Sequence, residues 1–263
     1  MNILVFIKQV ADTEARIIIS GDNKTLEIEN KYAVNFFDEF AIEEAIRIKE
    51  KIKESTITVC TYGPPRAIEA LRTAIAMGAD RAFLIDSTNY EDNDPLVVAE
   101  ILAAFAKKEG FDCILCGRQA MDDENANIGA MTAEFLDIPH ANRITKLDVI
   151  EDGKVRVESE IEGGKRVLDI ILPALLTTQK GLNEPRVPLM TGVMKAMKTE
   201  INKIDPASLD VPKETLERNA SKTVIFSYEM PPQRPPVKIV DGETPDEKAK
   251  ALIKALRDDA KVI

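Results

Sequence analysis

The sequence lacks several features that mark common protein classes. It has no tryptophan, one histidine and no apolar run near the roughly 18 residues that a membrane-spanning helix needs. Its start, MNILVFIKQV, lacks the basic region and the small-residue cleavage site of a secretory signal. Its three cysteines are odd in number, which argues against a secreted disulfide framework. We therefore expect a soluble cytoplasmic protein with reduced thiols.

Catalytic and metal-binding groups are also scarce. His140 follows Pro139 in a predicted loop, with no serine or cysteine nucleophile near it in sequence, which favours a surface residue over a general base. Cys113 and Cys116 lie within the predicted strand DCILC, so their side chains are expected on opposite faces of a sheet. One histidine and three cysteines that lie apart are too few soft ligands for a closed zinc site. We assign no catalytic residue and expect no metal.

The charge balance is acidic. The 263 residues include 45 acidic and 35 basic side chains, which gives a formal net charge of −10. Such a surface repels phosphate backbones and anionic lipids, so we expect neither a nucleic-acid partner nor direct membrane insertion. The hydrophobic content of 44% supplies enough apolar side chains for a proper core. This content excludes a disordered or fibrous protein.

Short apolar runs alternate with longer amphipathic stretches over the first 140 residues. This alternation is typical of parallel strands that helices cover on both faces. The pattern predicts strands at 3–7, 56–60, 81–85 and 113–116, and helices at 39–51, 67–77 and 95–107. The expected fold class is α/β, with a Rossmann-like parallel sheet.

The period of the apolar residues changes to two between Ile144 and Leu172. KLDVI, KVRVESEI and KRVLDIIL are separated by the turn sequences EDGK and EGGK, which predicts an antiparallel β meander added to the sheet. The apolar run 172–176 is expected to return to the main sheet. We place the end of the nucleotide-binding α/β domain near residue 200, so that residues 1–200 precede an extended C-terminal arm, 201–263.

The arm combines a proline-rich stretch with a helix. The prolines of MPPQRPPVK exclude a regular helix or a central strand. Thr244, Pro245 and Glu247 then form a capping box that predicts a helix start. The predicted helix carries one apolar stripe, formed by Ala249, Leu252, Ile253 and Leu256. Either another molecule buries this stripe or the helix packs back on its own sheet.

The candidate site lies after the strands, because ligands of open α/β sheets bind at the carboxyl ends of the strands. The richest such segment is GRQAMDDENANIG at 117–129, which leads into a helix. A helix N-terminus and Arg118 suit a phosphate, whereas the acids at 122–124 repel one unless they turn outward. Neither G-x-G-x-x-G nor the P-loop pattern occurs. From its residues alone, the interpretation of this segment as a phosphate-binding loop stays an open alternative.

Several separated segments resemble the beta subunit of electron transfer flavoproteins. ILVFIKQVADT, NFFDEFAIEEAIRIKE and LRTAIAMGADRAFLI are similar to its first strand, first helix and middle unit. More specific are LCGRQAMDDENANIGAMTAEFLDIP, which resembles the family's nucleotide loop, and LNEPRVPLMTGVMKAMK, which resembles its signature. PPQR in the tail also matches. The resemblance covers nearly the whole chain.

The resemblance implies a heterodimer with a larger alpha subunit that holds most of the site for a redox-active FAD. Common members bind AMP in the beta subunit, and electron-bifurcating members bind a second FAD there. Asp122-Asp123 and N-E-P-R at 183–186 look like the AMP-binding kind, whereas G-R-Q at 117–119 and Asp12-Thr13 also occur in bifurcating members. We expect AMP, with a second FAD as the alternative. The implied cofactor-binding residues are Phe6, Lys8, Asn35, Phe36, Phe37, Asp38, Tyr62, Gly117, Arg118, Gln119, Ala120, Met121, Asp122, Asp123, Glu124, Asn125, Ala126, Asn127 and Ile128.

The resemblance also implies a recognition loop at about 179–198, which in the family anchors on acyl-CoA dehydrogenases and related flavoenzymes. A proline-rich exposed loop with methionines suits a surface that meets several partners. Met190 stands where the family has a leucine anchor, and the lysines beside it are fewer than in common members. The implied partner-recognition residues are Leu189, Met190, Val193, Met194, Lys195 and Lys198.

The function expected from the resemblance is electron transfer by a carrier subunit, not by an enzyme with its own substrate. An acyl-CoA dehydrogenase of fatty acid oxidation, or a similar flavoenzyme, passes electrons to the FAD of the heterodimer, which delivers them to a membrane quinone oxidoreductase. One alternative is a bifurcating complex that oxidises NADH at a flavin in the beta subunit. A stand-alone adenine-nucleotide-binding module on a similar α/β fold is the other.

Overall fold

The computed structural model describes residues 1–90, 94–150, 153–217, 221–234 and 236–263. Within these ranges the chain divides into two compact units, Met1–Ser227 and Tyr228–Ile263. None of the described helices is long and apolar enough to cross a membrane. The first unit carries the sheet and the second carries the C-terminal helix.

The regular elements follow the alternation of the sequence. In chain order the strands are β1 (Asn2–Phe6), β2 (Gln9–Ala11), β3 (Ile17–Ile19), β4 (Leu26–Ile28), β5 (Tyr32–Val34), β6 (Thr56–Gly63), β7 (Arg81–Asp86), β8 (Cys113–Gly117), β9 (His140–Ile150), β10 (Lys154–Ile161), β11 (Gly164–Ile171), β12 (Ala174–Thr178) and β13 (Asn202–Ile204). The helices are α1 (Phe36–Lys51), α2 (Ile68–Met77), α3 (Pro95–Glu109), α4 (Ile128–Leu136), α5 (Met190–Lys198) and α6 (Pro245–Lys254).

Within the described residues, the main sheet has nine strands in the order β11-β10-β9-β12-β8-β1-β6-β7-β13. Its central strands pair in parallel, with β1 between β6 and β8. These strands are continuous apolar runs because both of their faces are covered. The α/β prediction is confirmed. Since β1 leads on one side to β6 and on the other neighbours β8, the strand order reverses at β1.

Helices cover both faces of this sheet. Ile3 and Val5 of β1 point into a core that α1 and α2 cover. Leu4 and Phe6 point into the opposite core, which α3 and α4 cover. The side chains of one strand thus supply both cores, as the two-residue period of a strand requires.

The two cysteines of the C-x-x-C motif belong to opposite cores, as predicted. Cys113 packs on the α1 and α2 side and Cys116 on the α3 and α4 side. Burial raises the pKa of the Cys113 thiol to about 12 and raises that of Cys116 even further. Both thiols are therefore protonated core side chains.

The meander continues the sheet beyond β12. β9, β10 and β11 pair in antiparallel fashion, and the predicted EGGK turn joins β10 to β11. Glu151 and Asp152 of the predicted EDGK turn lie outside the described residues. β12 returns between β8 and β9 and pairs in parallel with both. The predicted return of the run 172–176 is therefore confirmed.

The prediction of a surface loop at His140 is wrong. His140 begins β9, pairs with Leu175 of β12 and is half-buried. Burial lowers the pKa of the imidazole. The partner strand lies far along the chain, so the sequence around Pro139 does not show it.

The first unit continues beyond residue 200, where the sequence suggests a boundary. β13 adds a parallel edge strand next to β7. The Asp94 carboxylate accepts hydrogen bonds from Leu96 N at the start of α3, and from Lys222 N and Thr223 N at 3.0 and 2.9 Å. Residues after 200 are therefore attached to the sheet domain up to Ser227.

The second unit contains the predicted capped helix. Thr244 Oγ1 accepts from Glu247 N at 3.3 Å, and Glu247 Oε2 accepts from Thr244 N at 3.2 Å. Leu252 and Ile253 on the apolar stripe of α6 are each 48% exposed. The unit therefore presents apolar side chains on its surface.

Candidate functional site

The candidate nucleotide site lies at the carboxyl ends of three adjacent strands. Phe6 ends β1, Tyr62 lies near the end of β6, and Gly117 ends β8. Because β1 pairs with both β6 and β8, these ends are neighbours. Ligands bind outside such a reversal of strand order. The structure thus brings the residues predicted from separate segments to one edge of the sheet.

Asn35 joins the start of α1 to the loop after β8. Its Nδ2 donates to Gln119 O at 2.9 Å, and its Oδ1 accepts from Met121 N at 3.0 Å. The side chain is buried. Because both ends of the amide bind loop backbone, Asn35 fixes the path of the loop over the strand ends.

Asp38 is a buried carboxyl group between β1 and β8. Its Oδ2 accepts from Lys8 N at 2.7 Å and its Oδ1 from Gly117 N at 2.8 Å. Burial raises the pKa of Asp38 to about 7, although the two backbone N–H groups act in the opposite direction. One carboxyl group therefore links α1 to the ends of two strands, and its charge changes near neutral pH.

Gly117 allows α1 to approach β8 closely. A Cβ at this position would lie 2.7 Å from Phe37 Cβ and would also collide with the Asp38 carboxylate. Thr178 at the end of β12 supports the same contact, since its Oγ1 donates to Phe37 O at 2.8 Å. Thr178 does not figure among the predicted residues. The sequence feature that could have identified Thr178 is its position just after the apolar run 172–176, which returns to the main sheet.

Lys8 offsets part of the acidic charge of the loop. Its Nζ lies 2.8 Å from Asp122 Oδ1 and 3.0 Å from Asp123 Oδ2. The sequence suggests that these acids repel a phosphate unless they turn outward, whereas the structure pairs them with a cation. The groups are substantially exposed, so the pairing adds no more than about 1 kcal/mol to stability. Its main effect is to reduce the negative charge beside the site.

Arg118 carries a hydrogen-bond donor that fits a ligand. Its guanidinium carbon lies 4.7 Å from the centroid of the Phe37 ring. Its Nε is buried and has no hydrogen-bond partner among the described residues. A buried donor without a partner costs about 1–3 kcal/mol. An acceptor atom of a ligand would remove that cost.

The start of α4 lies against the same strand ends. A Cβ on Gly129 would lie 2.6 Å from Thr177 Cγ2 of β12, so the first turn of α4 packs tightly on the sheet. Within the described part of the chain, the Asn127 side chain does not cap this helix. The N-terminal N–H groups and the positive end of the helix dipole therefore suit an anion.

Most of the remaining predicted residues form the rim of the site. Phe36 is 40% exposed and stacks edge-to-face on Phe37. Phe6 is buried and Tyr62 is half-buried. The exposed or half-buried loop residues are Gln119, Ala120, Met121, Glu124, Asn125, Ala126, Asn127 and Ile128. Together with Arg118 and α4, this rim offers groups for binding a nucleotide.

A second candidate surface begins with a segment that is anchored on α1. Arg186 donates from Nε and Nη2 to the Glu43 carboxylate at 2.8 and 3.0 Å, and from Nη1 to Glu50 at 2.8 Å. Burial acts to raise the pKa of Glu43, but the bonds from Arg186 hold it below its ordinary value. Asn183 Nδ2 donates to Glu44 Oε2 at 2.9 Å. The N-E-P-R signature thus holds this segment in place.

The expected exposed loop ends in a helix, so the prediction of a loop throughout 179–198 is wrong. Residues 190–198 form α5, which packs on α2. Pro185 and Pro188 precede this helix, and the contact with α2, distant in sequence, stabilises it. Met190 and Met194 are 74% and 54% exposed. The implied recognition residues therefore lie on or next to one helix.

The predicted recognition residues differ in exposure. Leu189 is 75% exposed, Lys195 and Lys198 are exposed, and Val193 is half-buried. Met197, which the predicted set does not include, is 71% exposed. Its spacing of seven residues from Met190 was the available signal, but that spacing has meaning only in a helix.

Comparison with known proteins decides the family. The family model described as electron transfer flavoprotein domain matches residues 24–209. The chain is 38% identical over 264 residues to the electron transfer flavoprotein subunit beta of Bacillus subtilis, with 100% of each protein covered. This chain belongs to the beta-subunit family of electron transfer flavoproteins. The human subunit beta is 38% identical over 237 residues and that of Dictyostelium discoideum 40% over 235, each with 89% of this chain and 90% of the relative covered.

In this beta-subunit family member, the matched region contains the second candidate surface and most of the candidate nucleotide site, whereas Phe6 and Lys8 lie before it. The nucleotide edge, from Asn35 to α4, and the segment from Asn183 through α5 lie within residues 24–209. The second unit, Tyr228–Ile263, lies beyond that region but is covered by the Bacillus subtilis subunit beta.

The buried carboxyl of Asp38 predicts a pH dependence of stability. Its pKa of about 7 in the folded chain exceeds the ordinary 3.8, so the native state binds the extra proton. The free energy of unfolding should therefore fall as pH rises from about 4 to 7, by up to about 1.4 kcal/mol per pH unit from this group. Asp38→Asn removes this contribution. Urea unfolding from pH 4 to 8 should show the advantage of the unmodified chain shrinking with rising pH; a constant difference would contradict the assignment.

Proposed function

We propose that this chain is the beta subunit of a heterodimeric electron transfer flavoprotein. The heterodimer accepts electrons from acyl-CoA-type flavin dehydrogenases on an FAD that the alpha subunit mostly holds. It then passes them to a membrane quinone oxidoreductase. The observation that carries the proposal is the match along the whole chain to a protein named electron transfer flavoprotein subunit beta. When bound, the FAD supplies the acceptance and release of electrons. The role of this chain is to bind a nucleotide, to associate with the alpha subunit and to dock on the dehydrogenase.

The nucleotide edge is proposed to hold AMP in a structural role. Arg118 Nε and the N-terminal turn of α4 supply donors for its phosphate. Asn35 and Asp38 hold the loop and the strand ends in position around it. Lys8 offsets the nearby carboxylates. A nucleotide bound here would tie together segments that lie far apart in the chain.

The number and kind of bound nucleotides test this proposal. The chain is purified together with its alpha subunit in the cytoplasmic fraction, the complex is denatured, and the released nucleotides are counted by chromatography. One FAD and one AMP per heterodimer is the expected result. Two FAD without AMP would place the protein in the electron-bifurcating class that oxidises NADH. The absence of any flavin-bearing partner would leave a stand-alone nucleotide-binding module.

The helix α5 is proposed as the surface that docks on the dehydrogenase. Leu189 and Met190 present apolar side chains that a partner pocket can bury, and Lys195 and Lys198 add exposed positively charged residues to the same helix. Gly192 lies so close to Ala76 O of α2 that a side chain would collide there. The docking surface is thus mounted on a rigid element.

Substitution of Met190 tests the docking surface. Met190→Asp should slow electron acceptance from an acyl-CoA dehydrogenase by at least about tenfold, because an unpaired charge in an apolar pocket costs more than 1.4 kcal/mol. The FAD content should stay unchanged. Stopped-flow reduction of the heterodimer measures the rate. Thr191→Asp, which places the same charge on the adjacent exposed position, should have a much smaller effect; equal rates for Met190→Asp and the unmodified protein would remove Met190 from the interface.

The C-terminal arm, residues 201–263, is proposed to bind the alpha subunit. Within it, the unit Tyr228–Ile263 exposes Val237 and Ile239 by 89% and 84%, and Leu252 and Ile253 on the stripe of α6 by 48% each. A stand-alone module has little use for such a surface. A large alpha subunit that covers these side chains would bury them upon assembly.

A further inference from the structure

Three methionines of α5 form one exposed surface, which we call the methionine face: Met190, Met194 and Met197. At about 100° per residue, their spacing places them within roughly 60° of one another around the helix. Their side chains are 74%, 54% and 71% exposed. Outside α5, Met77 is 7% exposed, whereas Met121 and Met230 are 38% and 70% exposed but lie on separate segments of the chain. The methionine face therefore concentrates accessible thioether groups on one helix.

The methionine face cannot turn inward. The opposite side of α5 carries Gly192 and Ala196, which pack on α2, and a Cβ at position 192 would collide with Ala76 O. Arg72 of α2 donates from Nη1 to Ala196 O. A rotation of α5 that buried the methionines would break this bond and push large side chains against α2. The thioethers stay on the outside until a partner covers them.

The cysteine sulfurs of the chain are protected from oxidants, unlike these thioethers. Cys60, Cys113 and Cys116 are buried, and burial raises the pKa of each thiol. The thiolate is the form of cysteine that reacts with peroxide. Methionine oxidation needs no deprotonation and follows exposure. A mild oxidant should therefore react first with exposed methionines.

We propose that the methionine face is an oxidative modification site that controls docking. A hydroperoxide transfers one oxygen atom to each thioether sulfur: the O–O bond breaks, an S–O bond forms, and water or an alcohol leaves. Each sulfur is oxidised by two electrons and the peroxide is reduced by two. Methionine sulfoxide reductases reverse the reaction with electrons from thiols and release the oxygen as water.

The consequence for docking follows from the polarity of the sulfoxide. This inference rests on the proposed docking of α5 with a flavoenzyme. A sulfoxide oxygen that is buried in an apolar pocket without a donor costs about 1–3 kcal/mol, which corresponds to a loss of affinity of about five- to 150-fold. Oxidation of the face would thus separate the carrier from its electron donor and leave its cofactors in place. The lysines of α5 keep their charge.

The first arm of the test measures the modification itself. The FAD-containing heterodimer is treated with hydrogen peroxide, and peptide mass spectrometry follows the oxidation of each methionine. Met190, Met194 and Met197 should be oxidised several-fold faster than Met77 and should be restored by the reductases. Oxidation of the face no faster than that of Met77 would overturn the proposal without any bearing on the electron-transfer function.

The second arm measures electron acceptance from a purified acyl-CoA dehydrogenase before and after peroxide. The treated heterodimer should react about tenfold or more slowly, recover after reductase treatment and retain its FAD. A variant with Met190→Leu, Met194→Leu and Met197→Leu is compared with its own untreated rate, and that ratio should stay near one. If the oxidised protein reacts as fast as before, the inference fails. If the untreated protein accepts no electrons from the dehydrogenase, the proposed donor fails instead.

Discussion

A chain that ends before Pro231 is expected to lose its association with the alpha subunit while the sheet domain stays folded. The cut falls after Ser227, where the first compact unit ends. It removes exposed apolar side chains such as Val237, Ile239 and Leu252. Burial of such side chains is the main favourable contribution to a stable interface, so their removal should weaken the heterodimer strongly. Size-exclusion chromatography measures the association, and circular dichroism measures the fold.

Substitutions within α6 provide a finer test of the same surface. Leu252→Asp together with Ile253→Asp should weaken the heterodimer strongly, because both side chains lie on the apolar stripe. Lys250→Asp is the matched control, since it adds a negative charge at an exposed polar position of the same helix. A truncated chain that formed the heterodimer with full affinity would contradict the role of the arm.

Gly117→Ala is expected to disrupt the nucleotide edge. The added Cβ would lie 2.7 Å from Phe37 Cβ and would collide with the Asp38 carboxylate. Relief of this overlap must move α1 away from β8, at a cost of about 1–3 kcal/mol in stability. The same movement would break the bond from Gly117 N to Asp38 and displace the loop. The purified heterodimer should therefore contain much less AMP.

Gly164→Ala is the matched control for this prediction. A Cβ on Gly164 would meet nothing within 4 Å, and its backbone conformation suits an ordinary residue. Its stability and AMP content should equal those of the unmodified protein. Chromatography of released nucleotides and urea unfolding give both quantities. Normal AMP content in the Gly117→Ala protein would show that the edge does not bind the nucleotide.

Much of the sheet was predictable because its signals are local. The runs around Leu4, Val59 and Leu115 are buried on both faces, so each reads as a continuous apolar strand. The meander is visible in its two-residue period. The start of α6 follows from Thr244 and Glu247, whose capping bonds involve only residues of the same turn. In each case, the residues that determine the element are neighbours along the chain.

The location of the candidate site could be predicted from the sequence, but its hydrogen bonds and ion pairs could not. The rule that ligands bind at strand ends, together with the family resemblance, directs attention to Asn35, Asp38 and Gly117. The ion pair between Lys8 and Asp122 joins residues that are far apart in sequence, so the residues around either one do not predict it. The same holds for the role of Thr178. Each of these contacts exists only because β1, β8 and β12 are adjacent in the sheet.

Two elements show where local reasoning fails. Met190 follows a proline-rich segment that predicts a loop, yet α5 forms because its small residues, Gly192 and Ala196, pack on α2. His140 follows a proline as well, but β12 supplies a neighbouring strand that draws it into the sheet. Tertiary contacts overrode the local preference in both places.

The fold class, the strand and helix periods, the cysteine environment and the family follow from the amino-acid sequence alone, because each depends on patterns of neighbouring residues or on similarity along the chain. The hydrogen bonds of Asp38, those from Arg186 to Glu43 and the outward orientation of the methionine face come from the packing of the folded chain. These features join segments that are distant in sequence, and their geometry depends on which strands and helices become neighbours. The sequence pattern therefore specifies the helices and strands, whereas their packing specifies which side chains come into contact.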